Sequence, residues 1–211
     1  MLIVGITGRI GKNEGHETVL AYKALCDILF QYDILPICLI PNASSGKLSD
    51  KEFEKLKQMI SFCDGIILQG GEQFNDYDLR LTQYVYDEDI PTLGICLGLQ
   101  QMGYICGGQL LSITNHISDM NYAHYIKIVP NRKLYEIIGK EFIFVNSYHH
   151  NCIAQPHLTI SAYCGDVIEA LEDKNKTFFI GVQWHPEKLF DENTDKLFRA
   201  FIKAILQKKG K

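Results

Sequence analysis

The first half of the chain alternates short apolar runs with segments in which apolar residues recur every three or four positions. The apolar runs have the length of β-strands and lie at residues 2–7, 35–40, 66–68 and 92–95. Helical spacing occurs in two sets, Val19, Tyr22, Leu25, Cys26 and Leu29, and Phe53, Leu56, Met59 and Ile60. Ser49 and Asp50 precede the second set as a helix cap, with Glu52 in the first turn. Because alternating strands and helices form parallel sheets covered on both faces, we predict an α/β fold with a doubly wound, mostly parallel sheet flanked by helices.

The second half of the chain predicts antiparallel strands added to this sheet. Strand-like runs lie at residues 125–129, 141–146, 158–163, 167–172 and 177–184. A polar turn at residues 173–176 joins the last two runs and indicates an antiparallel hairpin. An amphipathic helix is predicted over residues 193–207. The sequence contains no linker, repeat or low-complexity tract, so we expect a single domain over residues 1–211.

The composition is that of an ordinary globular domain and excludes several classes of function. Of 211 residues, 46 % are hydrophobic and 22 % charged, which suits a chain with a real core. A net charge of −4 leaves no basic surface for nucleic acid. No apolar run reaches the roughly 18 residues of a membrane span, and the first run is too short for a signal peptide. Seven cysteines without a C-x-x-C pair favour reduced thiols and a cytoplasmic location over disulfides.

Cys96 lies where the fourth apolar run meets a helical pattern, in the sequence GICLG at residues 94–98. Gly94 and Gly98 flank it with the spacing of a nucleophile elbow, the sharp strand-to-helix turn that carries a serine in many hydrolases. The amino terminus of the helix favours a thiolate, and the backbone N–H of Leu97 is placed to donate to an oxyanion. The spacing alone is also compatible with a buried structural cysteine.

A candidate base, His185, follows the last strand-like run in the sequence GVQWHPE at residues 181–187. Pro186 stiffens the turn, and the Glu187 carboxylate can orient the imidazole and stabilise its cation. A lone histidine here would more often be structural. Two motifs that each follow a strand favour a Cys96–His185–Glu187 triad, because active sites of such sheets lie beyond the carboxyl ends of the strands.

A third motif, Gly70-Gly71, comes directly after the third apolar run. Two glycines free the backbone to turn an N–H towards the Cys96 elbow, as an oxyanion hole requires. An ordinary glycine turn fits the same two residues.

Together these motifs resemble the class I glutamine amidotransferase-like superfamily and, within it, the peptidase C26 or γ-glutamyl-γ-aminobutyrate hydrolase-like branch. VNSYHH at residues 145–150 is similar to the VNSxHH segment of that branch. DVIEALE at residues 166–172 resembles the strand that leads to its GxQWHPE motif, and residues 5–7 resemble its first strand. The resemblance covers nearly the whole chain and implies the same doubly wound, mostly parallel sheet.

The resemblance also implies an activity, the hydrolysis of γ-glutamyl amide bonds by an omega-peptidase that forms a glutamyl thioester. It implies Cys96 as nucleophile, His185 as base and then acid, Glu187 as the orienting carboxylate, and the backbone amides of Gly71 and Leu97 as the oxyanion hole. The residues expected at the substrate are Gln100, Gly70, Ser147, Tyr148 and His149. The substrate implied is a small γ-glutamyl molecule, and no cofactor is implied.

The chain departs from that branch after Gly71, where an acidic residue is commonly followed by a loop that contains proline. Here residues 70–78 contain no proline, and a helical pattern follows quickly. We expect this loop and residues 116–124 to determine which amine is released.

Other polar residues are predicted to stay outside the chemistry. His149 and His150 are expected to line the pocket or to orient a strand. His116 and His124 bracket a polar loop that either covers the cleft or is exposed. A zinc site is rejected, because these histidines lack ligand spacing and a matching carboxylate. Arg9 is expected at the surface rather than at the substrate.

Three functions remain open at this point. The first is a free-standing hydrolase of γ-glutamyl amides, with the possibility that it forms a homodimer. The second is a glutaminase subunit that delivers ammonia to a separate synthase. The third is a binding protein on a retired scaffold, which is disfavoured because a retired site need not keep all three triad residues.

Overall fold

A computed structural model describes residues 1–42, 46–114, 116–118 and 121–210. Its strands are β1 Leu2–Thr7, β2 Arg9–Asn13, β3 His16–Leu20, β4 Ile34–Leu39, β5 Gly65–Leu68, β6 Thr92–Ile95, β7 Gln109–Ser112, β8 His124–Ile128, β9 Phe142–Val145, β10 Asn151–Ala154, β11 Thr159–Cys164, β12 Val167–Glu172 and β13 Phe179–Val182. Its α-helices are α1 Lys23–Gln31, α2 Asp50–Ile60, α3 Asp76–Asp87, α4 Leu97–Ile105, α5 Lys133–Ile138 and α6 Glu192–Lys209. A 3₁₀ helix covers Pro186–Lys188.

Nine strands form one sheet in the order β4-β1-β5-β6-β13-β12-β11-β8-β9. The first five of these, from β4 to β13, are parallel to one another. The remaining four continue the sheet in antiparallel fashion. The predicted α/β fold with a doubly wound, mostly parallel sheet flanked by helices and an antiparallel addition is therefore confirmed. The carboxyl ends of β5, β6 and β13 meet at one edge, where active sites of such sheets lie.

The sheet separates two buried apolar layers, as the alternation of side chains along a strand requires. On β5, Ile66 and Leu68 pack with residues of α2, α3 and α4. Ile67 between them packs with residues of α1, α5 and α6 on the opposite side. Every residue of β5 is buried, as expected for a central parallel strand.

The predicted cap of α2 is confirmed in detail. The Ser49 hydroxyl accepts from the Glu52 N–H, and the Glu52 carboxylate accepts from the Ser49 N–H, so that two otherwise unpaired donors are satisfied. The final helix is longer than predicted by one residue at its start and two at its end.

The prediction of a helix that begins near Val19 is wrong in its first turn. Val19 lies in β3, which pairs with β2 in a hairpin, and α1 begins only at Lys23. Glu14 and Gly15 both have positive φ, 49° and 82°, as a two-residue type I′ turn needs. Each strand of this hairpin has only five residues, and many of them are polar. The alternation of apolar and polar residues is therefore weaker than the helical spacing that the sequence also contains.

Two further elements are absent from the sequence predictions, helix α5 and the two-stranded sheet of β7 and β10. All four residues of β7 are exposed, so β7 has no buried apolar face, which is the pattern that predicts a strand. All seven cysteines are free, as predicted. No helix within the described ranges combines the length and the apolar character that crossing a bilayer requires.

The glycines around Cys96 are required by close packing. A Cβ atom on Gly98 would lie 2.1 Å from the Leu68 carbonyl oxygen of β5, and one on Gly94 would lie 2.8 Å from the carbonyl carbon of Gly98. Helix α4 therefore rests directly on the end of β5. The predicted reason for the two glycines, a close backbone approach at the turn, is confirmed.

Gly98→Ala is expected to lower the free energy of unfolding by about 1–3 kcal/mol or more, because backbone rather than a movable side chain blocks the new methyl group. Urea unfolding measures the change. Gly11→Ala is the matched control, since its Cβ would meet nothing closer than 3.8 Å. Equal stability of the two variants would contradict the close approach of α4 to β5.

Candidate active site

Cys96 lies at the turn between β6 and α4 with a φ of 53°, which is rare for a residue that carries a side chain. Its N–H donates to the Val182 carbonyl oxygen at 2.8 Å, which ties the turn to the end of β13. The side chain is 3 % exposed, and Gln183 Nε2 lies 3.5 Å from the sulfur. The strained turn thus presents the thiol at the edge where the parallel strands end.

His185 and Glu187 form a buried pair just beyond β13. The His185 Nδ1 atom lies 2.7 Å from Glu187 Oε1, and both side chains are buried. Pro186 begins a 3₁₀ helix, and this turn brings the Glu187 carboxylate next to the His185 ring. Because Nδ1 faces the carboxylate, Nε2 is the ring nitrogen left for other chemistry.

Asn146 holds the backbone of His185 on both sides. Its Nδ2 donates to the His185 carbonyl at 2.8 Å, and its Oδ1 accepts from the His185 N–H at 2.8 Å. Sequence reasoning placed this residue in the VNSYHH segment without giving it a role. A signal was present, since a buried asparagine after an apolar strand needs partners for its amide.

The Cys96 thiol is close enough to His185 to help raise the pKa of its ring, so the three predicted triad residues lie together. Gly70 faces the same place, because a Cβ atom there would lie 2.8 Å from His185 Cε1 and 3.6 Å from Cys96 Cβ. Burial alone would lower the pKa of His185. Its contacts with Cys96 and Glu187 outweigh burial and raise the pKa of His185 to about 10.

A cleft of about 370 Å³ opens beside Cys96. The residues that line it are Gly71, Glu72, Gln73, Cys96, Gln100, Tyr148, His149, His150 and Asn151. Gln100 Nε2 donates to the Asn151 carbonyl at 2.9 Å and lies 3.3 Å from Gln183 Oε1. Gln183, which sequence reasoning passed over inside the GVQWHPE motif, thus connects the cleft wall to Cys96.

The residues predicted at the substrate fall into two groups. Gln100, Tyr148 and His149 line the cleft, and the Tyr148 ring stands edge-on to His185 with centroids 5.6 Å apart. Ser147 does not line it, because its hydroxyl donates to the carbonyl of His116. Its contribution to substrate binding therefore stays a prediction.

The two residues predicted to form the oxyanion hole are neighbours at the amino-terminal end of α4. Gly71 lines the cleft, and a Cβ on it would lie 3.0 Å from Leu97 Cδ2. The Leu97 N–H belongs to the first helical turn, where N–H groups have no acceptor within the helix. The Leu97 N–H is therefore available to a negatively charged oxygen beside Cys96, and the same role for the Gly71 N–H stays a prediction.

The expectation that Arg9 lies at the surface is wrong. The residue is 9 % exposed, forms an ion pair with the buried Asp78, and has Tyr77 Oη 3.4 Å from its Nη2. Its aliphatic stem supports Gly71, where a Cβ would lie 2.8 Å from Arg9 Cδ. Burial raises the pKa of Asp78 despite the neighbouring guanidinium. The buried ion pair of Arg9 and Asp78 thus anchors residues 70–78 to the protein interior.

The expectation that His116, His124 and His149 have no matching carboxylate for a metal site is also wrong. Glu169 of β12 is 1 % exposed and lies within 3.7 Å of ring nitrogens of His116, His124 and His149. Burial would raise the pKa of Glu169, but His124 and His149 outweigh it and lower that pKa. His116 and His124 are therefore not exposed loop residues, and residues 119 and 120 of the loop between them lie outside the described part.

Solved structures define the class of fold. The Trypanosoma brucei CTPS glutaminase domain with bound acivicin superposes with a TM-score of 0.73 over 98 % of this chain and 94 % of that one, at 17 % identity. A glutamine amidotransferase from Thermotoga maritima gives a TM-score of 0.64 over 99 % and 85 %, at 18 % identity. The fold is that of the glutamine amidotransferases.

The family follows from the sequence. A family model for peptidase C26 matches residues 3–187, and the chain belongs to the peptidase C26 family. A glutamine amidotransferase-like protein of Rickettsia prowazekii is 25 % identical over 96 % of this chain and 97 % of its own length. A GMP synthase [glutamine-hydrolyzing] of Bacillus pumilus is 30 % identical over 75 % of this chain and 30 % of its own length. The family and these relatives support a hydrolase that acts on amides.

The raised pKa of His185 predicts a pH-dependent contribution to stability. A histidine whose pKa rises from 6.5 to about 10 on folding stabilises the folded state fully below pH 6.5, and this stabilisation is lost as the pH rises through 10. Glu187→Gln removes one cause of the shift. The difference in free energy of unfolding between wild type and Glu187→Gln is therefore expected to shrink from pH 6.5 to pH 10 in urea titrations.

Glu88→Gln is the control for this experiment, since Glu88 is an exposed carboxylate at the end of α3. A stability difference that stays constant over the whole pH range for Glu187→Gln would contradict the coupling between Glu187 and the ionisation of His185.

Proposed function

We propose that the chain is a cysteine-nucleophile hydrolase that cleaves γ-glutamyl amide bonds, with glutamine or a γ-glutamyl amine as substrate. The observation that carries the proposal is the 2.7 Å contact between His185 Nδ1 and Glu187 Oε1, buried next to the cysteine of a strand-to-helix turn. A histidine held in this way offers Nε2 to the proton of the thiol. The family and the relatives reported above support the same class of reaction.

The proton of the Cys96 thiol first passes to His185 Nε2, in keeping with the raised pKa of His185, and the sulfur then attacks the amide carbonyl carbon. The tetrahedral intermediate collapses, the C–N bond breaks, and His185 returns the proton to the nitrogen, which leaves as ammonia or an amine. His185 then takes a proton from water as the water oxygen attacks the thioester. The C–S bond breaks, glutamate is released, and the proton returns to the sulfur.

The negative charge of both tetrahedral intermediates falls on the carbonyl oxygen. The backbone N–H groups of Gly71 and Leu97 are proposed to bind it, since both lie beside Cys96 at the start of α4. Fixed donors of this kind act without reorganising at the moment of reaction. Arg9 keeps Gly71 in place from the side of the protein interior.

The glutamyl part of the substrate is proposed to occupy the cleft of about 370 Å³. Gln100, Tyr148 and His149 are the candidate contacts, and Gly70 leaves room beside His185. The leaving amine would extend towards Glu72 and Gln73, which line the same cleft. The cleft volume is near the lower end of the range of about 300–1,000 Å³ found for ligand pockets in general, which suits a substrate with a compact amine.

A second candidate function is a glutaminase subunit that supplies ammonia to a separate synthase. Two findings favour it, the sequence similarity to a GMP synthase [glutamine-hydrolyzing] and the structural similarity to a CTPS glutaminase domain. The same triad would serve, with glutamine as the substrate and the synthase, rather than a second copy of the chain, as the partner. The two functions differ in whether the chain alone turns over substrate.

The purified protein by itself is expected to release glutamate from one or more γ-glutamyl amines. The assay offers glutamine and a panel of γ-glutamyl amines, and follows glutamate with Cys96→Ala as the blank and Cys106→Ala as the matched thiol control. Cys96→Ala should lose turnover and keep the fold, because a thiol contributes little core volume. Retained turnover in Cys96→Ala would contradict the mechanism, while faint release from glutamine only would favour the glutaminase subunit.

Removal of the base is expected to be more damaging than loss of its orienting charge. We expect His185→Ala to lower kcat by about 10⁶-fold and Glu187→Gln by about 10⁴-fold, by analogy with the losses found in Ser-His-Asp triads. Steady-state kinetics on the best substrate measures both, with Glu88→Gln as control. A larger loss in Glu187→Gln than in His185→Ala would reverse the two roles.

A further inference from the structure

Three histidines converge on one buried carboxylate behind the wall of the cleft. Glu169 Oε1 lies 3.3 Å from His124 Nε2 and 3.7 Å from both His116 Nδ1 and His149 Nε2. Glu169 is 1 % exposed and His149 is 3 % exposed. The proposed hydrolysis uses none of these four atoms, so the cluster needs an explanation of its own.

The atoms at the centre of the cluster are not satisfied by hydrogen bonds. His116 Nδ1, His124 Nε2, His149 Nε2 and both Glu169 oxygens are buried without a hydrogen-bond partner in the described part of the chain. A buried polar atom without a partner destabilises the folded state, because it has lost its hydrogen bonds to water. Five of them at one place are hard to reconcile with a site that holds nothing.

The separations suit a shared metal ion better than direct hydrogen bonds. An N–H···O bond is about 2.9 Å long, which is shorter than all three distances to Glu169 Oε1. A zinc ion with bonds of about 2.0–2.1 Å to tetrahedral ligands sets those ligand atoms about 3.3–3.4 Å apart. Glu169 Oε1 lies 3.7 Å from both His116 Nδ1 and His149 Nε2, close to that spacing, and the ligand atoms of the three residues all lie within 4.8 Å of one another.

The hydrogen bonding of His149 orients it as a metal ligand. Its Nδ1 lies 3.0 Å from the Asn151 carbonyl oxygen, which can only accept, so Nδ1 carries the proton. The neutral ring then presents the lone pair of Nε2 to the Glu169 carboxylate. Two lone pairs that face each other in a buried place repel unless a metal ion or a proton lies between them. An N–H bonded to a carbonyl is the usual outer contact of a histidine that binds metal.

Backbone hydrogen bonds bring the ligands together. Ile117 pairs with Tyr148 in an antiparallel bridge, and the Ser118 N–H donates to the Ser147 carbonyl at 2.9 Å. This pairing places the rings of His116 and His149 with centroids 5.1 Å apart. Glu169 reaches them from β12, a strand of the main sheet. The ligands therefore come from three separate segments on a rigid base.

We propose that His116 Nδ1, His149 Nε2 and a carboxylate oxygen of Glu169 bind one divalent transition-metal ion, for which zinc is the best match. Nitrogen and oxygen ligands in this number are typical of zinc sites. His124, 3.3 Å from the same carboxylate, holds Glu169 in place beside the ion. The ion would thereby fix the cleft wall at residues 148–151 to the main sheet.

The proposed ion is connected to the cleft through one carbonyl group. The Asn151 carbonyl accepts from Gln100 Nε2 at 2.9 Å and from His149 Nδ1 at 3.0 Å. Gln100 in turn lies against Gln183, next to the Cys96 sulfur. The ion would therefore hold the wall formed by residues 148–151 in register with the nucleophile, as a structural rather than a reacting centre.

The test uses the full chain with any histidine tag removed and any bound metal extracted by a chelator. Titration with Co²⁺ is expected to give the visible bands of a tetrahedral site that saturate at one ion per chain, and Zn²⁺ should displace them. Elemental analysis of the protein reloaded with zinc should also give one ion per chain. Glu169→Gln and His149→Ala are expected to weaken binding by about 100-fold or more.

His150→Ala is the matched control, because His150 is an exposed neighbour of His149 and should leave the affinity for zinc unchanged. Circular dichroism and urea unfolding show whether each variant is folded. If His149→Ala does not fold, Glu169→Gln still tests the proposal, because it keeps the shape of the side chain. Absence of saturable binding at one ion per chain, or equal binding by folded Glu169→Gln, would overturn the proposal and leave a cluster that shares protons. Metal is measured without substrate, so this result is independent of the proposed hydrolase activity.

Discussion

At the end of β6 the backbone turns at Cys96 with a φ of 53°, and α4 starts there only because residue 98 has no side chain. The Leu68 carbonyl occupies the space that a Cβ would need. This contact sets α4 on the end of β5 and places its first N–H groups at the proposed site of reaction. The remaining groups of the site are arranged around that turn, each by the strand that carries it.

The antiparallel half of the sheet completes the site that the parallel half begins. Strand β13 is parallel to β6 and antiparallel to β12, so it is the boundary between the two halves and carries His185 beyond its end. Asn146, which follows β9, fixes the backbone of His185. Glu169 on β12 gathers the histidines behind the cleft. The proposed nucleophile therefore lies on the parallel half, the proposed base follows the strand at the boundary, and Asn146 and Glu169 come from the antiparallel half.

Predictions from sequence were accurate where a physical signal was local. The strands at residues 2–7 and 92–95 have the predicted bounds, because buried parallel strands are continuous apolar runs. The cap at Ser49 was also predictable, since its two hydrogen bonds lie within four residues. The β2–β3 hairpin was missed because its apolar residues imitate helical spacing, and Arg9 was misplaced because its partner Asp78 lies 69 residues away.

The sequence alone determined the nine strands of the main sheet and the three residues that meet at the candidate site, since each motif follows a strand and strand ends converge in a parallel sheet. Only the tertiary structure decided what surrounds them. Gln183 and Asn146 acquire roles through contacts between strands that are distant in sequence, and Glu169 meets its histidines because β12, β8 and the segment after β9 are neighbours in space. Burial decides the rest, because a carboxylate excluded from water needs a positive charge beside it, from a metal ion or from a protonated imidazole.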